Sequence, residues 1–399
     1  MDRKKQEREV LQVGIVTISR QFILSNFGTF FQHWSLRKVL QSFGYAPFRV
    51  ADIGESHRTI IWIAMRTLKR LLLVPYRCFR GQLSLRGECK SLCFTLCQNI
   101  KFYREYKRVI GNIFDDTKFY ECITVIIGSD QIWTSSRERE FACVFSDDCD
   151  KISYAASADW LRVKCSEQWE SRIRAELPKY KGISVRERQG IDVIKELMQK
   201  DISIFHAIDP VFLTGREEYL RTFCANNLAE EPVLLYYVVN INSYEELNYA
   251  EILQTAKSLN VQLKVVGLQG AERFLPLSAQ TIASPSKFLE LYHRAKYVVT
   301  NSFHGTAFAL IFGKRFACIK QVERCGASQN TRCHELLEKL GLMGYWLESK
   351  FTSNDLAACL KQEIDFNLIN DEILKWKISS LKWLESTLAT DRVKDSEDT

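Results

Sequence analysis

One turn of the chain sets a group able to move protons beside groups able to hold an anion: Thr300-Asn301-Ser302-Phe303-His304-Gly305-Thr306. Imidazole exchanges protons near neutral pH. An apolar strand precedes the turn and a helix over 305–312 follows it. The first amides of that helix, from Gly305 and Thr306, would face the histidine's space and attract negative charge. His33, His57, His206, His293 and His334 lack such a setting and receive no role.

Three further turns follow apolar runs in the same way. Ser25-Asn26-Phe27-Gly28, with Gln32 after it, opens a helix. Asn26 there either caps the helix or turns its amide to a ligand, with the small Gly28 leaving room for one. Gly128-Ser129-Asp130-Gln131, ahead of Trp133, offers three polar side chains at a strand end. They either face a ligand or stabilise their own turn. In Val185-Arg186-Glu187-Arg188, Arg186 leaves a strand end as a fork suited to carboxylate or phosphate. An internal pair with Glu187 or Asp209 is the other use of that guanidinium.

Elements that would hold these turns are legible in the hydrophobic pattern. Near-continuous apolar runs at 12–18, 123–128, 151–156 and 182–185 read as buried parallel strands, with helical periodicity over 27–43 and near 167–177. A second series starts at Pro232: strands at 233–239, 261–267, 296–300 and 315–319, and helices from Ser243 to Leu259 and over 285–295. Two blocks of alternating strand and helix imply an α/β protein with two Rossmann-like, doubly wound domains facing a cleft. The expected division is 1–215 for the first domain, 216–350 for the second, and 351–399 for C-terminal helices and a polar tail. The amphipathic stretch 369–388 would pack back across the first domain.

The length of 399 residues and 46% apolar, 26% charged composition fit two globular domains and no long disordered tract. No run approaches the roughly 18–20 apolar residues that span a bilayer, and the charged start of the chain is a poor signal peptide. A cytoplasmic protein, reaching at most the inner face of the membrane, is expected. Thirteen cysteines without a CxxC pair fit reduced, mostly buried thiols. Cys89, Cys93 and Cys97 would share one helical stripe, but a zinc site would lack a fourth ligand at a familiar spacing. Net charge is +7, and 57–108 alone holds twelve Lys or Arg against Glu88 and Glu105. This basic helical insert, about 57–110, interleaves cations with Ile, Trp and Leu. It suits an anionic membrane surface, or simply a solvated helix face, and no nucleic-acid module accompanies it.

Taken together and in order, the turns resemble the polysaccharide pyruvyl transferase family, in its Ser-Phe-His-Gly branch. The resemblance runs from about Val13 to Leu342. It rests on the turns quoted above, on Ser153-Tyr154-Ala155-Ala156-Ser157, Ser184-Val185-Arg186-Glu187 and Asp209-Pro210, on Asn301 to Phe308, and on Asn330 with Arg332. It implies a GT-B-like fold and transfer of the carbon skeleton of phosphoenolpyruvate to a sugar. A pyruvate ketal would form and phosphate would leave, with phosphoenolpyruvate as co-substrate and neither metal nor other cofactor. In that light His304 is the expected acid/base. Arg186, Ser302, Gly305, Thr306, Asn330 and Arg332 are expected on the donor side, and Asn26, Gly28, Ser129, Asp130 and Gln131 on the acceptor side. Several branches carry arginine two residues before the histidine. Ser302 stands there in this chain, leaving Arg332 or Arg315 to supply the charge.

Two other readings use the same residues. A nucleotide-sugar glycosyltransferase of the same fold would need an acidic residue for the ribose at a second-domain strand end, and no clear one is present. A non-catalytic membrane-surface protein of glycan assembly would rest on the basic insert alone.

Overall fold

The apolar run near the start of the chain becomes strand β1 (Gln12–Val16), buried from Val13 onward. The computed structural model describes residues 11–17, 26–50, 85–110, 124–131, 133, 149–158, 167–224, 232–276, 278–323 and 330–397. Helix α1 (Phe27–Ser42) follows β1, and the chain leaves it through Gly44 at φ +84°, a backbone setting that favours glycine. Strand β2 (Ala46–Arg49) then pairs parallel with β1. Its four residues include Pro47, and its place at the sheet edge tolerates a residue without an amide hydrogen.

Strands β3 (Thr124–Asp130), β4 (Asp150–Ala156), β5 (Tyr180–Val185) and β6 (Phe205–His206) complete a parallel sheet in the order β2-β1-β3-β4-β5-β6. Helices α2 (Leu85–Val109), α3 (Glu167–Glu176) and α4 (Gln189–Met198) lie between its strands in sequence. Helix α2 is the described part of the basic insert; the expectation for 57–84 lies outside the described residues.

The second half runs α5 (Arg216–Phe223), β7 (Val233–Val238), α6 (Tyr249–Ser258), β8 (Gln262–Gly267), α7 (Pro285–Arg294), β9 (Ala295–Thr300), α8 (Phe303–Ile311), β10 (Arg315–Ile319), α9 (Asn330–Lys339), β11 (Trp346–Leu347), α10 (Ser353–Lys361) and α11 (Phe366–Glu397). Its strands form a parallel sheet ordered β11-β10-β9-β7-β8. Two expected helix starts move. The segment after Ser243 makes a short 3₁₀ turn at Glu245–Leu247, so α6 begins only at Tyr249. Helix α8 begins at Phe303 instead of Gly305, because Ser302 serves as its N-cap.

The halves meet through aromatic rings. Phe27 of α1 stacks on Phe288 of α7 with centroids 4.2 Å apart, and Phe31 meets Phe308 of α8 edge-on at 5.0 Å. Helix α11 does pack back across the first domain. Trp383 stacks on Phe205 of β6 at 5.3 Å, Trp376 Nε1 donates to the His206 carbonyl, and Ser380 Oγ accepts from the Ile208 amide. Burial of the thiols is mixed. Cys149, Cys318, Cys333 and Cys359 are buried, whereas Cys89, Cys93 and Cys97 stand exposed on α2. Among the described residues no helix is long and apolar enough to cross a membrane.

Candidate functional site

Both sheets reverse their strand order once, between β1 and β3 in the first and between β7 and β9 in the second. Ligands of open parallel sheets bind beyond the carboxyl ends of the strands at such reversals. The turn that ends in α1 follows β1, and the turn that ends in α8 follows β9. The aromatic contact between the halves brings these two helix starts together. A methyl group built on Gly28 would lie 2.1 Å from His304 Nδ1, so the imidazole rests against bare backbone of the opposite half.

Asp209 links the groups around that contact. Its Oδ2 accepts from Gln32 Nε2 at 2.7 Å and from an Arg186 guanidinium nitrogen at 2.8 Å, and lies 3.8 Å from His304 Nε2. Its Oδ1 accepts from the Val211 amide at 3.0 Å, capping the 3₁₀ turn that begins at Pro210. Arg186 Nε donates to Glu187 at 2.8 Å, and the guanidinium carbon lies 4.6 Å from the centroid of Phe303, over its ring. Arg186 thus reaches across from the first half and also makes both internal pairs open to it. All these side chains are buried. A buried ion pair is weak evidence for stability but holds its members in fixed relation.

Local structure explains why Arg186 leaves the sheet where it does. Ser153 and Ser184 donate reciprocally to each other's carbonyls across β4 and β5, at 3.0 and 2.9 Å, and Ser184 Oγ also accepts from the Ala155 amide. The register shifts there, with Ala155 at φ +49°. These serines fix the strand end before Arg186.

Side-chain amides organise the second half in a similar way. Asn301 accepts from the Val239 amide at 2.9 Å and donates to its carbonyl at 2.8 Å, tying the ends of β7 and β9. Gln321, beyond β10, donates to the Asn301 carbonyl, and Asn330 of α9 bonds both the amide and carbonyl of Gln321 at 2.8 and 3.0 Å. Ser302 Oγ accepts from the Gly305 amide at 3.5 Å, and Thr306 Oγ1 donates to the Ser302 carbonyl at 3.2 Å. A methyl group at Gly305 would lie 2.1 Å from Thr300 Oγ1. Ser302, Gly305 and Thr306 therefore build the turn that presents His304.

A cavity of about 340 Å³ opens beside Arg186, Asp209 and Phe303, with Arg332 on its wall; Arg188, Lys339 and Trp376 also line it, as do the carboxylates of Glu187, Asp192, Glu335 and Glu338. Glu335 of α9, on the same wall, accepts from the Arg188 and Gln189 amides at 2.7 and 3.1 Å, so a carboxylate of the second half caps α4 of the first. Arg315 is not brought here. It starts β10, about 13 Å of strand from the carboxyl edge, and pairs with Glu363 at 3.3 Å.

On the other side, Asn26 caps α1 by accepting from the Thr29 amide at 3.2 Å. Ser129 takes φ +57° at the end of β3, a strained setting for a side-chain-bearing residue, and Asp130 and Gln131 follow it. The hydroxyls of Thr17, Ser129 and Ser157, at the carboxyl ends of β1, β3 and β4, are buried without hydrogen-bond partners among the described residues. Such a group costs about 1–3 kcal/mol. Thr17 and Ser157 escape a residue-by-residue reading, because a hydroxyl's partners are set by neighbouring strands. Asp209 was legible as a possible partner of Arg186 and as part of the Asp209-Pro210 motif, but its contacts with Gln32 and His304 were not.

The model of the family described as polysaccharide pyruvyl transferase matches residues 26–321. No curated protein matches the sequence. Among solved structures, the chain is similar to a putative UDP-N-acetylglucosamine 2-epimerase from Listeria monocytogenes, with a TM-score of 0.53 and 9% identity over 97% of this chain and 98% of that one. Also similar are the S. aureus MnaA-UDP co-structure (TM-score 0.48, 9% identity, 91% and 90% covered) and UDP-GlcNAc 2-epimerase from Neisseria meningitidis bound to UDP-GlcNAc (TM-score 0.48, 11% identity, 96% and 99% covered). At such identities likeness speaks to fold alone, and the Listeria structure supports the two-domain, GT-B-like arrangement. The match over most of the sequence, on a fold that joins the motif-bearing turns, places this chain in the polysaccharide pyruvyl transferase family.

Proposed function

We propose that the chain transfers the pyruvyl skeleton of phosphoenolpyruvate to a sugar of a polysaccharide or lipid-linked glycan, forming a pyruvate ketal. The observation that carries this reading is the convergence of His304, Asp209 and Arg186 where the two switch points meet, beside a cavity walled by Arg186 and Arg332. A histidine in reach of a carboxylate and next to a cavity that offers Arg186 and Arg332 suits a reaction that needs one proton delivered near a small anion.

In this reading the donor lies in the cavity, its carboxylate and phosphate facing Arg186 and Arg332, with Arg188 and Lys339 adding positive charge at the rim. His304 delivers a proton to the methylene carbon, leaving an oxocarbenium-like centre at the neighbouring carbon. One sugar hydroxyl adds there and returns its proton to His304. Phosphate then departs with its bridging oxygen, and a second hydroxyl of the same sugar closes the ketal, its proton passing to the released phosphate. Asp209 orients the imidazole and would neutralise its charge when protonated. Asn26, Gly28, Ser129, Asp130 and Gln131 border the acceptor, joined by Thr17 and Ser157. Ser302, Gly305, Thr306 and Asn330 act by shaping the turn and seating α9. Phosphoenolpyruvate is the co-substrate, and no further cofactor is invoked.

Carbon-labelled phosphoenolpyruvate incubated with the protein and a panel of glycans tests this. The expected result is acid-labile label on a glycan with one phosphate released per transfer, and loss of both in His304→Ala. Label arriving only from a nucleotide sugar would overturn it, as would full turnover by His304→Ala.

A further inference from the structure

We infer that the outer face of helix α2 seats this protein on an anionic lipid bilayer and so presents the site to a lipid-linked acceptor. On α2, Cys89, Cys93, Leu96, Cys97 and Ile100 are exposed, with Leu96 and Ile100 at 42% and 43%. Lys101, Arg104 and Lys107 continue the same exposed face, and Arg108 flanks it while reaching Glu105 at 3.3 Å. At 3.6 residues per turn these positions fall within roughly 140° of the helix circumference. One face therefore carries an apolar stripe running into a cationic one, the pattern of a helix lying in a membrane interface.

The opposite face is fastened down. Phe102 packs against Phe27 and Phe30 of α1, with centroids 5.6 and 5.4 Å away. The Gln98 side chain accepts from the Ala283 amide at 2.8 Å and donates to its carbonyl, and Glu105 accepts from the Ser286 amide at 3.0 Å. Helix α2 thus rests on both halves, and its exposed side is a surface of the folded protein. Charge selects the covering partner. The segment 57–108 carries all of the chain's basic excess, and cations beside exposed Leu and Ile match anionic headgroups over acyl chains. The surface also lies close to the chemistry, since Phe102 packs on Phe27 and the next residue, Gly28, touches His304.

Only the naming of a lipid-linked acceptor rests on the transfer reading. Membrane seating is read without turnover, so the two can fail separately. Flotation of the full chain with vesicles of phosphatidylcholine alone, or mixed with phosphatidylglycerol, tests it. Binding is expected to need phosphatidylglycerol and to weaken with salt. Lys101→Glu/Arg104→Glu/Lys107→Glu should lower it about tenfold or more, and Leu96→Gln/Ile100→Gln several-fold. Both variants should retain their far-ultraviolet circular dichroism and their rate on a water-soluble acceptor. Unchanged flotation in both variants, or equal binding to neutral vesicles, overturns the inference. So does retention on duplex DNA without vesicle binding, or a loss of self-association in Leu96→Gln/Ile100→Gln while flotation persists.

Discussion

Gly28 and His304 belong to opposite halves of the molecule, yet the imidazole lies so close to the glycine that a side chain there would overlap the ring, 2.1 Å from Nδ1. Gly28→Ala must displace either the α1 start or the ring. Overpacking of this kind costs about 1–3 kcal/mol, and a shift near 1 Å at reacting groups costs on the order of 100-fold in rate. Thermal unfolding and turnover should both fall. In a His304→Ala background, the added alanine should lose most of its destabilising effect, because the ring it strikes is gone.

Asp209 and Arg186 are both buried and share a 2.8 Å contact. Asp209→Asn removes the negative charge while keeping the shape. Removing one partner of a buried pair costs about 3–5 kcal/mol. Denaturant unfolding should register that loss, and the double variant with Arg186→Met should recover part of it. Strict additivity of the two losses would show that the pair is not energetically coupled.

Ser302 and Arg332 should behave differently although both were expected on the donor side. Ser302 caps α8, so Ser302→Ala should cost about 1 kcal/mol of stability and leave the KM for phosphoenolpyruvate within about twofold. Arg332 lines the cavity, and Arg332→Ala should raise that KM about tenfold or more, as loss of a charge-assisted contact does. Equal effects of the two on KM would place the donor elsewhere.

Two histidines outside the reaction predict acid sensitivity. Burial, then the charges of Arg49 and Arg37, push His33 down to about 3, and burial, opposed by its hydrogen bond to the Arg186 carbonyl, lowers His206 to about 4. Because both folded values lie below the ordinary 6.5, the unfolded chain takes up protons first as pH falls. Their share of stability is intact above pH 6.5 and drains away towards pH 4 and then 3, by about 1.4 kcal/mol per pH unit for each histidine. The melting temperature should drop between pH 7 and 5, and His33→Leu should flatten that drop. Parallel curves for the two proteins would contradict it.

Much of the fold was legible because buried parallel strands write themselves as unbroken apolar runs: 233–239 and 315–319 in the sequence became β7 and β10 with hardly a residue changed. Short edge elements were not, since β2 carries a proline and β6 has only two residues, so neither leaves a periodic signal. Helix α10 begins at a capping box of Thr352 and Asp355, a local signature that the reading of 351–399 as unspecified C-terminal helices did not use. The candidate site divides along the same line. His304 and Arg186 could be singled out because strand ends are locally recognisable. The roles of Gln32 and Gly28 depend on residues more than a hundred positions away, Asp209 and His304, and no spacing rule reaches that far.

The return of α11 to the first sheet has a consequence for how the molecule is made. Trp376, Ser380 and Trp383 cover the edge strand β6 and hold the amide of Ile208, the residue just before Asp209. During synthesis the first sheet therefore waits for α11, which follows the whole second sheet, before its edge is protected and its aspartate is seated. A nascent or truncated product that ends before α11 has both sheets' strands but an open β edge, and it is an aggregation-prone species, not a slower enzyme.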